Sequence, residues 1–218
     1  AEEALRESEE ETKRLAHESA IMAEIGRIIS STLVIDEVYE LFAKEVSKLI
    51  PFDRIGISIV DVEKGMGVST YMAGKDLPDR GVGIPYPLEG TAIAEMIRTK
   101  SIVLIQTDDL NEVKGRFPKL LSTFQAGFRS IMNVPLFSKE QIIGALLLRS
   151  VQSNAFDVKH VQVAERVGRQ IAGAIANAQL YIERKRAEAM LQERVKELNC
   201  LYGMSALLEL PGVSLDEI

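Results

Sequence analysis

Apolar positions recur along this chain in two periods, and the switches between them mark its elements. Leu5, Leu15, Met22, Ile25 and Ile28 return at approximately helical spacing between acidic positions, predicting an incoming helix that Ile29-Ser30-Ser31-Thr32 breaks. Asp36 is placed to accept hydrogen bonds from the free amides of a second helix, with Glu37 near the positive end of its dipole. Val38, Leu41, Phe42, Val46 and Leu49 give that helix one apolar stripe, and Pro51 stops it. The pattern then changes to alternation. Arg54 to Val60, RIGISIV, puts Ile55, Ile57 and Ile59 on one face of a strand, Lys64-Gly65-Met66-Gly67 supplies a turn, and Val68 to Ala73 forms the hairpin partner.

Gly74 to Glu89 reads as loop with a short strand near Gly83 to Tyr86, because glycines and prolines interleave with short apolar residues. Thr91 caps a short helix carrying Ile93, Met96 and Ile97, which ends at Lys100 and gives way to a buried strand, Ile102 to Ile105. A polar loop with Asp108 and Asp109 precedes a helix from Phe117 to Gln125. Arg129 to Leu136 and Gln141 to Ser150 flank the turn Phe137-Ser138-Lys139-Glu140 as a second hairpin. The last helix opens with Asp157 as cap and Phe156 and Val161 as a hydrophobic staple, and continues through Val161, Ala164, Val167, Ile171, Ala174, Ile175 and Ala178. Antiparallel hairpins with helices laid on a face, and no βαβ repeat, define an α+β fold.

Both ends read as charged amphipathic helices continuing into something longer. Residues 1–23 form one; Gln179 to Leu208 form the other, interrupted by Gly203. Ile171, Ile175, Ala178 and Ile182 step by four, three and four, the seam spacing of a coiled coil, and Leu191, Val195, Leu198 and Leu201 resume it beyond the charged stretch Glu183 to Glu188. The expected partner is a second copy of the chain, joined through these terminal helices. The expected organisation is a linker helix over residues 1–20, a domain over 21–178 and a coiled-coil linker over 179–218 leading to a following domain.

Composition narrows the function. The 218 residues are 46% hydrophobic and 27% charged, enough for one good core. A net charge of -6 argues against a nucleic-acid surface, and Arg184, Lys185 and Arg186, flanked by glutamates, read as a solvated helix face. No apolar run approaches the roughly 20 residues that cross a bilayer, and the acidic start is unlike a signal peptide, so no membrane contact is expected. Cys200 stands alone, which removes an internal disulfide and a thiolate metal cage and fits the cytoplasm.

Four stretches in order carry a resemblance. STLVIDEVYELFAKEVSKLIPFDRIGISIVD, GTAIAEMIRTKSIVLIQTD, RSIMNVPLFSKEQIIGALLLRS and FDVKHVQVAERVGRQIAGAIANAQLY, together covering about Ile21 to Ala178, resemble a GAF domain of a multidomain bacterial or archaeal sensor. The flank AEEALRESEEE looks like the helix that links PAS or GAF domains, and ERVKELNCLYGMSALLELPGVSLDEI looks like the linker and start of a following sensor region in multi-sensor histidine kinases. The resemblance implies a five- to six-stranded antiparallel sheet with the two terminal helices on one face and a ligand pocket on the other. It implies a non-catalytic sensor and relay module, with neighbouring sensor and kinase domains elsewhere in the parent chain. The alternative is a ligand-free dimerisation spacer that passes on signals from its neighbours.

Chemistry known in GAF relatives finds little support in these residues. His17 and His160 read as surface histidines, one in a linker helix and one in a first helical turn. No Cys-His pair is present to attach a bilin, no cysteine set to reduce a sulfoxide, and no converging ligands to hold haem or another metal, so no cofactor is expected. The cyclic-nucleotide signature is missing too; Ser153-Asn154-Ala155-Phe156-Asp157 resembles only a helix start. A small-molecule site is proposed from Ser58 and Thr70 on adjacent strands, Tyr86 and Thr91 around the crossover, and Phe117, Phe124, Phe128 and Asn133. The same phenylalanines, at near-helical spacing, fit a closed core equally.

Overall fold

In the computed structural model, which describes residues 2–31, 35–77 and 81–208, the alternation of RIGISIV becomes a strand whose two faces feed two different cores. β1, Arg54–Asp61, pairs antiparallel with β2, Met66–Gly74. Ile55 and Ile57 enter one core, while Val60 enters the other. The turn between β1 and β2 falls two residues earlier than the sequence suggests. Asp61 Oδ1 accepts from the Lys64 backbone N–H at 3.0 Å and Gly65 takes φ +64°, so Met66 and Gly67 already pair with Asp61 and Val60.

The remaining strands are β3 (Pro85–Pro87), β4 (Val103–Gln106), β5 (Ser130–Ser138) and β6 (Gln141–Ser150). They form a six-stranded sheet in the order β3-β2-β1-β6-β5-β4, antiparallel throughout, so the expected α+β class holds. The central β1–β6 pair joins the two hairpins, from Arg54 opposite Arg149 to Ile59 opposite Gly144. Close approach requires that glycine: a Cβ at Gly144 would lie 2.5 Å from the Ser58 carbonyl oxygen. β4 was expected to be a buried strand. It is an edge strand covered on one side only, with Val103 and Ile105 inside and Leu104 exposed.

The helices are α1 (Glu2–Ser30), α2 (Ile35–Val46), α3 (Ala92–Thr99), α4 (Leu110–Arg116), α5 (Leu121–Gln125) and α6 (Val158–Leu208). One core lies on the helix side of the sheet. There Ile21, Ile25 and Ile28 of α1, Phe42 and Val46 of α2, and Val167, Ile171 and Ile175 of α6 pack on Ile55, Ile57, Met132, Val134, Leu146 and Leu148. Each such side chain contributes about 1.5–3 kcal/mol by leaving water. The stripe of α2 is rotated from the expected one: Tyr39 is buried and Leu41 faces solvent, because Val38, Tyr39, Phe42, Ala43 and Val46 share the inward face. α2 begins at Ile35, one residue before the expected cap Asp36, whose side-chain contacts are not among those the structure describes.

The other core lies on the loop side, where α3, α4 and α5 cover the sheet. α3 begins as expected, with Thr91 Oγ1 accepting from Ala94 N at 3.2 Å, and Lys100 closes it in the left-handed region at φ 50°. α4 replaces the expected polar loop. Asp109 caps it through Asn111 N at 2.8 Å, but among its residues only Val113 is buried, so it has no apolar stripe to announce it. The Phe117–Gln125 helix is a 3-10 turn at Pro118–Leu120 followed by α5. α6 starts at Val158 on the expected Asp157 cap and runs through Gly203 without a break.

The chain divides into two units, residues 1–176 and 177–218. α1 belongs with the sheet in the first.

Candidate functional site

On the loop side the strand alternation sets polar groups among apolar ones. Arg54 and Ser58 of β1, Ser69 of β2, Asn133 of β5 and Arg149 of β6 are all buried, as is Thr123 of α5. Phe117, Phe124, Met96, Ile131 and Leu147 form the apolar surroundings. Ser58 Oγ lies 3.2 Å from Ser69 Oγ. The hydroxyl of Thr123 and Oδ1 of Asn133 are buried without a hydrogen-bond partner, which costs roughly 1–3 kcal/mol per group unless something else satisfies them. The sheet end is closed by Gly74, at φ +97°, after which the Lys75 carbonyl accepts from Arg54 Nη1 at 2.6 Å. Burial pushes the Arg54 guanidinium below its usual value, opposed by the charge of Asp76. The ammonium of Lys75 stands 5.4 Å from the centre of the Phe128 ring.

The structure sorts the expected site residues. Ser58, Phe117, Phe124 and Asn133 come together on the loop side, and Tyr86 packs into the same core beside Gly67, where a Cβ would meet its ring at 2.9 Å. Phe128 is fully buried against Lys75. Thr70 is corrected to the opposite side. A register shift between Ile57 and Ser58 makes it the extra residue of a bulge, so its hydroxyl donates to Ile57 O and lies 3.4 Å from Tyr39 Oη on α2. Ser69 takes its place beside Ser58. Thr91 is also a correction: its hydroxyl donates to Leu88 O at 2.6 Å while accepting from Ala94 N, so capping uses both its functions.

Arg54, Arg149, Ser69 and Thr123 escaped the sequence reading. The first two follow from the alternation itself: if Ile55 and Ile57 face one core, Arg54 must face the other, and register puts Arg149 opposite it. A charged residue at a strand end reads instead as the edge of an element.

The expected dimer seam is corrected as well. Ile171 and Ile175 are buried in the chain's own helix-side core, and Ala178 is also buried. Ile182, Leu191, Val195 and Leu198, in the second unit, are exposed. His160 is half-buried in a capping box rather than a bare surface residue; its Nδ1 accepts from Asp157 N at 3.2 Å while its backbone N–H donates to Asp157 Oδ1 at 2.8 Å. His17 and Cys200 are exposed. Among the described residues no group of three or more His, Cys, Asp or Glu is placed to hold a metal ion, and no helix is long and apolar enough to cross a membrane.

A two-sided antiparallel sheet with buried polar groups under its crossover is shared by many proteins, and a family match decides among them. The family model described as GAF domain matches residues 32–176. This chain is a GAF domain protein. Its fold is that of solved GAF domains: one from a phosphoenolpyruvate-protein phosphotransferase of Coxiella burnetii aligns with TM-score 0.62 at 14% identity, covering 75% of this chain and 95% of that one. The GAF domain of a two-component sensor histidine kinase from Bacillus halodurans aligns with TM-score 0.60 at 18% identity, covering 69% and 99%. In sequence, this GAF chain is 23% identical over 181 residues to the formate hydrogenlyase transcriptional activator FhlA of Escherichia coli (strain K12), covering 82% of this chain. The chain spans 25% of the length of the curated relatives it matches.

Proposed function

We propose that this GAF domain is a non-catalytic sensor and relay module of a multidomain signal-transduction protein, binding a small molecule on the loop side of its sheet and signalling through a homodimer of its helices. The observation that carries the reading is the pair of orphaned polar groups, Asn133 Oδ1 and Thr123 Oγ1, buried among the apolar side chains of α3 and α5. Small-ligand sites are built from apolar walls with a few converging polar groups. The sheet is the shared wall of both cores, so a ligand that shifts β1 or β5 changes the surface on which α1, α2 and α6 rest.

The histidine-kinase parent rests on the look of the linkers and agrees with the Bacillus halodurans sensor kinase domain of like fold. The FhlA relative supports a second parent, a transcriptional activator, with the same role for the module. Association would use Ile182, Leu191, Val195 and Leu198, whose exposure leaves them for a partner.

Native mass spectrometry of the freshly purified chain tests both parts. The expected spectrum shows a dimer carrying a small molecule that is lost on denaturation and absent from Phe124→Ala, and Leu191→Glu with Leu198→Glu reduces it to a ligand-bearing monomer. A ligand-free dimer would favour the spacer reading, and a monomeric wild type would remove the relay.

A further inference from the structure

We propose that Arg129 and Ser130, consecutive residues where β5 begins, are the coupling pair of the sensor, tying the α5 cover of the loop-side site to the segment that leads into α6. The assignment rests on the sensor reading above and adds the route by which the site is read.

The backbone is pinned at this point from both sides. The Arg129 N–H donates to Ser150 O at 2.9 Å, and the Thr107 N–H donates to Arg129 O at 3.2 Å, so the chain is held between the end of β6 and the residue that follows β4. Strand alternation then sends successive side chains to opposite faces. Ile131 lies in the loop-side core and Met132 in the helix-side core, which puts Arg129 on the first side and Ser130 on the second.

On the loop side, Arg129 Nη1 donates to the carbonyls of Phe124 and Phe128 at 2.8 and 2.9 Å. A cation suits the negative end of a helix, and its hydrogen bonds are stronger than neutral ones. Thr123 and Phe124 are the buried residues of α5, so a shift of that cover pulls on the guanidinium. On the helix side, Ser130 is fully buried; its hydroxyl donates to Gln152 O at 2.7 Å and accepts from Ala155 N at 3.1 Å. Those two bonds brace the loop that ends at the Asp157 cap of α6. An unbroken run of hydrogen bonds therefore crosses the sheet through one peptide, from α5 to the α6 lead. Asp108 adds an outer branch, 3.2 Å from Arg129 Nε and accepting from Ser153 Oγ at 2.9 Å. Asp108 is exposed, so water and salt weaken that branch beside the buried one.

Hydrogen–deuterium exchange of the 218-residue chain tests the link, with Phe124→Leu as the disturbance of the cover. In the wild-type background this change is expected to speed exchange about threefold or more both in residues 121–128 and in residues 153–161. Arg129→Met keeps the stem but removes the donors, and should leave the first response while abolishing the second. Arg129→Lys, which retains a charged donor, should restore part of it. Ser130→Ala breaks the route on the other side of the sheet and should act like Arg129→Met, so the proposal stays testable if either variant does not fold. A residue that merely stabilised the domain would change both segments together. Undiminished transmission in Arg129→Met and Ser130→Ala, or no response of residues 153–161 to Phe124→Leu in the wild-type background, overturns the coupling pair. Neither result touches the sensor reading, which native mass spectrometry decides by whether a small molecule is retained.

Discussion

Gln106 and Phe156 exchange two hydrogen bonds across 50 residues of sequence: the amide Nε2 donates to the Phe156 carbonyl at 3.0 Å, and the Phe156 N–H donates back to Oε1 at 2.9 Å. One side chain thus acts as a strand, pairing edge strand β4 with the backbone that leads into α6. The Phe156 side chain is itself buried in the helix-side core. Gln106→Ala should cost about 1–3 kcal/mol, from two hydrogen bonds lost and two backbone groups left unmet. Urea unfolding monitored by circular dichroism would measure it, and a loss below a few tenths of a kcal/mol would mean that water replaces the clasp.

The Asp157–His160 box makes stability depend on pH. The hydrogen bond from the His160 backbone holds the Asp157 carboxyl below its ordinary value. A group whose folded pKa is depressed stabilises above its unfolded value, near 3.9, and that contribution is lost as pH falls through the folded pKa. Asp157→Ala should therefore cost about 1 kcal/mol at pH 7, with the gap to wild type narrowing below about pH 4. A gap that is constant from pH 7 to pH 3 would assign the effect to something other than the carboxylate.

Gly74 should tolerate no side chain. Its φ is +97°, and a Cβ would lie 2.2 Å from the Asp53 carbonyl oxygen, a backbone atom with nowhere to go. Gly74→Ala is expected to destabilise by about 2 kcal/mol or more. Thermal unfolding would read the loss directly. Gly65→Ala provides the contrast, since its Cβ would meet nothing within 4 Å and only the positive φ would be felt.

Two isoleucines on α6 separate folding from association. Ile171→Glu places a charge in the helix-side core, where the wild-type side chain is fully buried, and should unfold the domain or cost about 4 kcal/mol or more. Ile182→Glu, at a position 47% exposed, should leave the unfolding midpoint of the monomer within about 0.5 kcal/mol of wild type. Equal effects at the two positions would overturn the boundary drawn here between core and seam.

The fold was legible wherever a stripe had a strong period. The four motifs carried the hairpins, the α3 cap and the staple at Phe156, and the family followed from their order. What escaped was set by partners rather than period. Leu41 and Tyr39 both suit an apolar stripe, and only docking against the sheet selects Tyr39, whose ring lies 5.1 Å from that of Tyr71. Thr70 moved to the far side through a bulge, which shifts every later side chain by one place and leaves no trace in composition. Half of the site, Ser58 and Asn133, was visible as polar residues in apolar strands. Arg54 and Arg149 were not, because a charged residue is read as exposed until the register shows what stands opposite it.

Edge strand β3 has a proline at each end, Pro85 opposite Val68 and Pro87 opposite Met66, with Tyr86 between them. A proline has no N–H to offer, so two of the three positions on this border cannot donate to an incoming strand. Strand addition by another chain at this edge is thereby disfavoured, even when chains crowd together.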